Sequence, residues 1–346
     1  MTKKFLLLIT GSLTALATVV GGAHAADKPQ VFAIVPKGIN DPFFADVEKG
    51  GKEEAAKFGG KVLYTGSTQS DESEQVQILR DLLTRGVNGI ALSPVNADSV
   101  VGVIASAAEK HIPVVTFDSD APDSKRLAYI GTNNLAAGRE AGKAFKAHLP
   151  KGKIAVITGH LAAANHNDRV KGFHEIVTGS DYQEVPGSPF PCDDDVAKSI
   201  QIIQDTLTRY PDLDGFFFSG GWSTFGAPEA YKNAMAKKKA DIASNKFVVV
   251  SFDTLPQQLE VLKDGYLTAL IGQRPFKMGV QSIDALRAAN ERKTVENEDT
   301  GWTSLLPKTW INSLKSNWYL NGEAGSIGCP RVPPGSKPRW CRRGRH

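Results

Sequence analysis

Six short apolar runs in this 346-residue chain each end in a cluster of polar and aromatic residues. After Val35 comes Pro36-Lys37-Gly38-Ile39-Asn40-Asp41-Pro42-Phe43-Phe44, and after Phe117 comes Asp118-Ser119-Asp120. After Ile157 comes the stretch Gly159 to Asp168, with His160, Asn165, His166 and Asn167. After Phe218 comes Ser219-Gly220-Gly221-Trp222, after Phe252 Asp253-Thr254, and after Ile271 Gly272-Gln273-Arg274. Carboxylates and planar amides pair with adjacent hydroxyls in a bidentate way, and charge-assisted bonds are the stronger ones. Aromatic rings pack on the C–H faces of a sugar ring. Planar polar groups flanked by Phe and Trp therefore suit a polyhydroxylated ligand better than a lipid or a nucleotide.

Other chemistries find less support. Paired carboxylates such as Asp118, Asp120 and Asp253 serve glycosidases, but no acid reads from the sequence as one held in an apolar context, and no G-x-S-x-G elbow occurs. No catalytic residue is expected. No G-x-x-x-x-G-K-[ST] or G-x-G-x-x-G run is present, so Ser219-Gly220-Gly221 is not a phosphate cradle and no cofactor is expected. The cysteines, Cys192, Cys329 and Cys341, form neither a disulfide framework nor a metal set. Plainer roles compete at several positions. Asp118 and Asp120 suit a turn or a helix cap, Phe43 and Phe44 a hydrophobic staple, and Arg169 the positioning of a helix. His160 and His166 read as loop surface, and Asp193-Asp194-Asp195 as a solvated helix start. Lys37 has three candidate partners: Asp41, Asp120 or an acidic group on the ligand.

These clusters must be held by regular elements, and the pattern supplies them. Apolar runs at 31–35, 61–64, 89–92, 113–117, 153–157, 215–218, 247–251 and 267–271 read as strands. Amphipathic stretches lie between them; Val76, Leu79, Leu82 and Leu83 form one stripe, with Gly86 placed as a C-cap. Continuous apolar strands alternating with helices mean parallel sheets covered on both faces. The series runs twice, which predicts an α/β chain of two doubly wound lobes joined by a multi-strand hinge. In such sheets ligands sit beyond the carboxyl ends of the strands, where the polar clusters are.

Composition bounds the surroundings. Lys3 and Lys4, the apolar run from Phe5 and the exit Ala23-His24-Ala25 read as a signal peptide over 1–25, and hence as export to the periplasm. The formal charge of +4 is concentrated at the ends. Residues 301–346 hold eight Lys and Arg against one acid, Glu323, so the body between is mildly acidic. That argues against nucleic acid as a partner.

The chain resembles the type I periplasmic solute-binding proteins, most closely the ribose-binding-protein-like sugar-binding subunits of ABC importers. Asn40-Asp41-Pro42-Phe43-Phe44 matches the N-x-P-F-F loop, Pro113 to Asp118 the P-V-x-x-x-D strand end, and Asp168 to Phe173 the R-x-x-G-F helix start. Val249-Val250-Ser251-Phe252-Asp253 is similar to the V-x-G-F-D strand end, and Gln273 follows the last strand of the second lobe. The resemblance covers about residues 30 to 300. It implies ligand contacts from Asp41, Phe43, Phe44, Asp118, Ser119, Asn167, Asp253 and Gln273, with Lys37 and Trp222 added from the loop reading. It also implies a monomer that closes on a small sugar or polyol and hands it to an ABC permease in the inner membrane. The alternatives are a sensor presenting its ligand to a chemoreceptor or histidine kinase and, less favoured, a secreted hydrolase.

Several positions depart from the family pattern. Lys37 stands where a small polar residue is common and Asp41 where Asn is common. Ser119 and Asn167 stand where the ribose proteins carry Arg, and a stacking Phe is missing near Asp194; Trp222 is its candidate replacement. The sugar is therefore left open. The expected division is a first lobe of 26–132 plus 274–300, a second lobe of 133–273, and an atypical basic, disordered tail over 301–346, consistent with a reading-frame change near 301.

Overall fold

The computed structural model describes residues 29–306; the expected leader over 1–25 and the chain from 307 onward lie outside the described residues. The first sheet is built from β1 (Val31–Val35), β2 (Lys61–Tyr64), β3 (Gly89–Leu92), β4 (Val114–Phe117) and β5 (Tyr129–Gly131). The helices between them are α1 (Pro42–Ala56), α2 (Glu72–Arg85) and α3 (Val101–Glu109). Strands β1, β3 and β4 are short apolar runs buried on both faces, as the interior of a helix-covered parallel sheet requires. The helices start where a polar side chain can cap them: Asp41 accepts from the Phe43 amide at 2.8 Å and Asp71 from the Glu74 amide at 2.7 Å.

The second sheet uses β6 (Gly152–Thr158), β7 (Tyr182–Glu184), β8 (Phe190–Pro191), β9 (Gly215–Phe218), β10 (Val248–Phe252) and β11 (Ala269–Gly272). Its helices are α4 (Asn134–His148), α5 (Ala164–Ile176), α6 (Val196–Arg209), α7 (Trp222–Phe225), α8 (Pro228–Ala234), α9 (Lys239–Ala243) and α10 (Pro256–Lys263). The last elements are α11 (Pro275–Asn290), β12 (Glu298–Asp299) and β13 (Thr303–Leu305). The sheets run in the orders β12-β5-β4-β3-β1-β2 and β13-β11-β10-β9-β6-β7, with β8 beside β6. All pairings are parallel except β11 with β13. In each sheet the winding reverses beside its first strand, between β1 and β3 and between β6 and β9, which opens a crevice at the carboxyl ends.

The chain passes between the sheets three times: after β5, after β11 and after β12. Helix α11 follows the second passage and packs on α1 so closely that a Cβ on Gly279 would stand 2.0 Å from the Val47 carbonyl oxygen. The third passage delivers β13 to the outer edge of the second sheet. This corrects the expectation of a tail from residue 301. Thr303, Ser304 and Leu305 pair antiparallel with β11, Leu305 is buried, and Trp302 and Leu306 pack on the second core. The edge of β11 has unpaired backbone groups to satisfy, and a three-residue alternation is too short to read as a strand. Among the described residues no helix is long and apolar enough to cross a membrane.

Candidate functional site

The two crevices face each other across a cavity of about 370 Å³ of non-atom space, mouth included. Eight of the residues singled out above line it: Lys37, Asp41, Phe43, Phe44, Asp118, Trp222, Asp253 and Gln273. Each comes from a strand end or the helix start beside it. Lys37 follows β1, Asp41, Phe43 and Phe44 open α1, Asp118 follows β4, Trp222 opens α7, Asp253 follows β10 and Gln273 follows β11. Asp118 and Asp253 both hold left-handed backbone, φ 58° and 72°. Such strain costs about 1–3 kcal/mol for a non-glycine residue and persists where the surroundings impose it.

Two expected residues are elsewhere. Ser119 is fully buried inside the first lobe and does not line the cavity, because the left-handed turn at Asp118 leaves only Asp118 facing inward. Asn167 donates to the Leu161 carbonyl at 2.8 Å and lines a separate outer depression with Leu161, Val170 and Lys171. The reason is the start of α5. It begins at Ala164, ahead of the Asp168 to Phe173 segment expected to start it, so Asn165 and Arg169 share its inner face while Asn167 points outward. His166, expected on the surface, is buried beside Trp222, with ring centroids 5.0 Å apart. Asp120 takes no part: it pairs with Arg126 at 2.6 Å and accepts from the Thr116 hydroxyl.

Arg169 organises the floor of the cavity. Its side chain is 2 % exposed, and it donates from Nε to Asn134 at 2.8 Å, from Nη1 to the Ser219 carbonyl at 2.9 Å and from Nη2 to Gln273 at 2.7 Å. It stacks 4.3 Å above the Phe252 ring. Gln273 also accepts from the Thr132 hydroxyl at 3.0 Å and donates to Asp253 at 2.8 Å, so one amide ties two of the three chain passages to a cavity carboxylate.

Lys37 spans the cleft. Its ammonium donates to Asn165 Oδ1 at 2.9 Å, contacts His166 Nε2 at 3.3 Å and lies 3.6 Å from Asp118 Oδ2. Three partners meet the three N–H groups of an ammonium. Of the options open in the sequence, neither Asp41 nor Asp120 pairs with it. Asp118 accepts from Ser93 at 2.8 Å and from Asn165 at 3.1 Å, so the first and second lobes are bonded directly.

The carboxylates respond to burial. Asp253 and Asp194 are both raised, chiefly by desolvation. Asp41 is pushed up to about 8 by burial, opposed by the Phe43 amide and reinforced by the negative charge of Asp253, Asp194 and Asp118. Its folded value exceeds the unfolded value of about 3.9, so the folded state binds the extra proton between the two. Stability is therefore lost as pH rises from about 4 to about 8. Asp41→Asn keeps the helix cap and removes the titration. The melting temperature of the unliganded wild type should fall across this window relative to that of Asp41→Asn; parallel pH profiles would exclude the assignment.

The family described as periplasmic binding protein domain matches residues 32–294. The chain belongs to that family. This binding protein is 28% identical over 285 residues to the ribose import binding protein of Salmonella typhimurium, covering 82% of this chain and 92% of the relative. It is 26% identical over 292 residues to the D-allose-binding periplasmic protein of Escherichia coli, covering 81% and 90%. Among solved structures it is similar to an ABC transporter solute binding protein from Burkholderia graminis in complex with D-arabinose. That match has a TM-score of 0.74 and 35% identity and covers 82% of this chain and 97% of the other. A solute binding protein from Agrobacterium vitis with bound D-fucose matches at a TM-score of 0.76 and 28% identity, covering 83% and 99%. The binding protein thus shares an α/β architecture of parallel sheets with proteins that hold sugars.

Proposed function

We propose that this chain binds a small sugar or polyol in the cleft between its sheets and delivers it to an ABC permease in the inner membrane. The observation that carries the reading is the convergence of Asp41, Asp118 and Asp253 with Phe43 and Trp222 on one enclosed cavity fed by strand ends of both sheets. The relatives that bind ribose, allose, D-arabinose and D-fucose support the ligand class. In this reading Lys37, Asp41, Phe43, Phe44, Asp118, Trp222, Asp253 and Gln273 surround the ligand, and Arg169, Asn165 and His166 join them. The lobes, 26–132 with 274–300 and 133–273, close as rigid bodies about the three passages. Closure is favoured by whatever contacts the ligand makes only in the closed state. The protein works as a monomer in the periplasm after removal of residues 1–25, and it binds its ligand without converting it.

A thermal-shift panel of pentoses, hexoses, polyols and amino acids on the chain from residue 26 tests the reading. A ligand at 100 times its Kd adds about 2.7 kcal/mol to the native state, so at least one sugar or polyol should raise the melting temperature clearly. A cooperative melt that no sugar or polyol shifts would rule the reading out.

A further inference from the structure

The acidic run before α6 divides three ways. Asp195 caps the helix, accepting from the Lys198 amide at 2.6 Å. Asp193 pairs with the Lys198 ammonium and lies 3.8 Å from His160 Nδ1. Asp194 turns into the cavity with its side chain 7 % exposed. Asp193 and Asp194 are consecutive left-handed residues, φ 54° and 58°, a conformation that non-glycine residues keep only where the surroundings impose it. Residue 159 must be glycine for Asp194 to sit there, since a Cβ on it would stand 2.2 Å from Oδ1.

This strained carboxylate is short of partners among the described residues. Its Oδ1 is enclosed and has no hydrogen-bond partner among the described residues. The neighbouring His166 Nε2 is 3.6 Å away. That nitrogen cannot donate, because the Lys37 ammonium at 3.3 Å only donates and so claims its lone pair. The ring proton therefore sits on Nδ1, 3.2 Å from the Ser219 hydroxyl. Burial and the charges of Lys37 and Arg169 hold His166 well below its ordinary pKa and keep it neutral. An unpaired, enclosed carboxylate oxygen is unfavourable unless a donor reaches it.

The two cations of the cleft turn most of their N–H groups to the protein. Lys37 bonds Asn165 and His166 beside Asp118, and Arg169 bonds Asn134, Ser219 and Gln273. Acceptors remain. Asp253 uses one oxygen on the protein, for the Gln273 amide, and Asp194 Oδ1 uses none. We propose that Asp194 is a specificity-determining residue whose free oxygen receives a hydroxyl of the bound sugar, so that the cleft selects neutral, donor-rich sugars and rejects sugar acids. The inference rests on the sugar-binding reading above and adds to it the residue and the charge class.

Calorimetry on the wild type and on Asp194→Asn tests it, with D-arabinose, D-fucose, D-ribose and D-allose as probes, followed by the monodeoxy analogues of the one that binds best. D-galacturonate, the acid with the ring configuration of D-fucose, completes the set. Asp194→Asn should bind the best sugar about tenfold to a hundredfold more weakly. One deoxy analogue should lose as much on the wild type and no more on the variant, the non-additivity expected of direct partners. D-galacturonate should bind at least about a hundredfold more weakly than D-fucose. Unchanged affinity in the variant, deoxy losses that all add in full, or an acid bound as tightly as its neutral counterpart would each overturn the inference while leaving sugar binding intact. Binding of no neutral sugar by a cooperatively melting wild type would overturn both. The acid comparison needs no variant, so an acid bound as tightly as its neutral counterpart overturns the inference even if Asp194→Asn fails to fold.

Discussion

Replacing Arg169 by methionine is expected to lower the stability of the protein by roughly 3–5 kcal/mol, the usual result of removing one partner from a buried charged network. Methionine fills comparable space, so packing over Phe252 is largely kept and the loss reports the guanidinium. Asn134 Oδ1 and the Ser219 carbonyl would each lose a donor, and the donors to Gln273 Oε1 would drop to the Thr132 hydroxyl alone. Asp118 would lose one of its two cations and Asp253 the positive charge that opposes its desolvation. Arg169→Lys should fall between, because a lysine keeps the charge without the planar fork that serves three directions at once. Urea denaturation of the unliganded proteins measures the difference. A loss under about 1 kcal/mol for Arg169→Met would mean that the network is not a structural keystone of the cleft.

The origin of this network explains what could be read from the sequence and what could not. The strand ends were legible because β4, β10 and β11 are apolar runs that stop at a charged or amide residue, so Asp118, Asp253 and Gln273 could be placed at the cavity by position alone. Lys37 and the start of α1 were legible for the same reason, helped by the Asp41-Pro42 cap. Helix α5 gave no such signal. Its N-cap is Ala163, which makes no side-chain bond, so its first turn looked like loop and the inward face carrying Asn165, His166 and Arg169 went unread. Asp194 was hidden for a different reason. Three consecutive acids look alike in sequence, and only the two left-handed residues at 193 and 194 separate the one that caps a helix from the one that enters the cavity. Left-handed backbone at a non-glycine residue has no reliable sequence mark. The strand at 303–305 was missed because edge pairing, not periodicity, makes it a strand.

Deleting the Asp118 carboxylate is expected to weaken sugar binding by at least about 2 kcal/mol, through partner groups left buried and unpaired. Its Oδ2 accepts from Ser93 and its Oδ1 from Asn165, while Lys37 and Arg169 each lie 3.6 Å away. One carboxylate therefore balances both cations of the cavity and bonds the first lobe to the second. Its backbone, at φ 58°, dictates the choice of variant. Asp118→Ala would add strain to the loss of charge, whereas glycine adopts this conformation freely. Asp118→Gly thus isolates the carboxylate, and Asp118→Asn keeps its shape while removing its charge. Both should bind sugar weakly by calorimetry, and unchanged affinity in both would overturn the role given to Asp118. The unliganded Asp118→Gly protein should also scatter X-rays as a more open particle than the wild type. Without the carboxylate, the two cations facing each other across the cleft lose the charge between them, and of the cross-cleft contacts at this point the Lys37 contacts to Asn165 and His166 and the Asn134 bond to the residue-118 carbonyl remain. A scattering profile that superposes on the wild type would place the force holding the lobes together in the three chain passages, with the charges of the cleft serving the ligand alone.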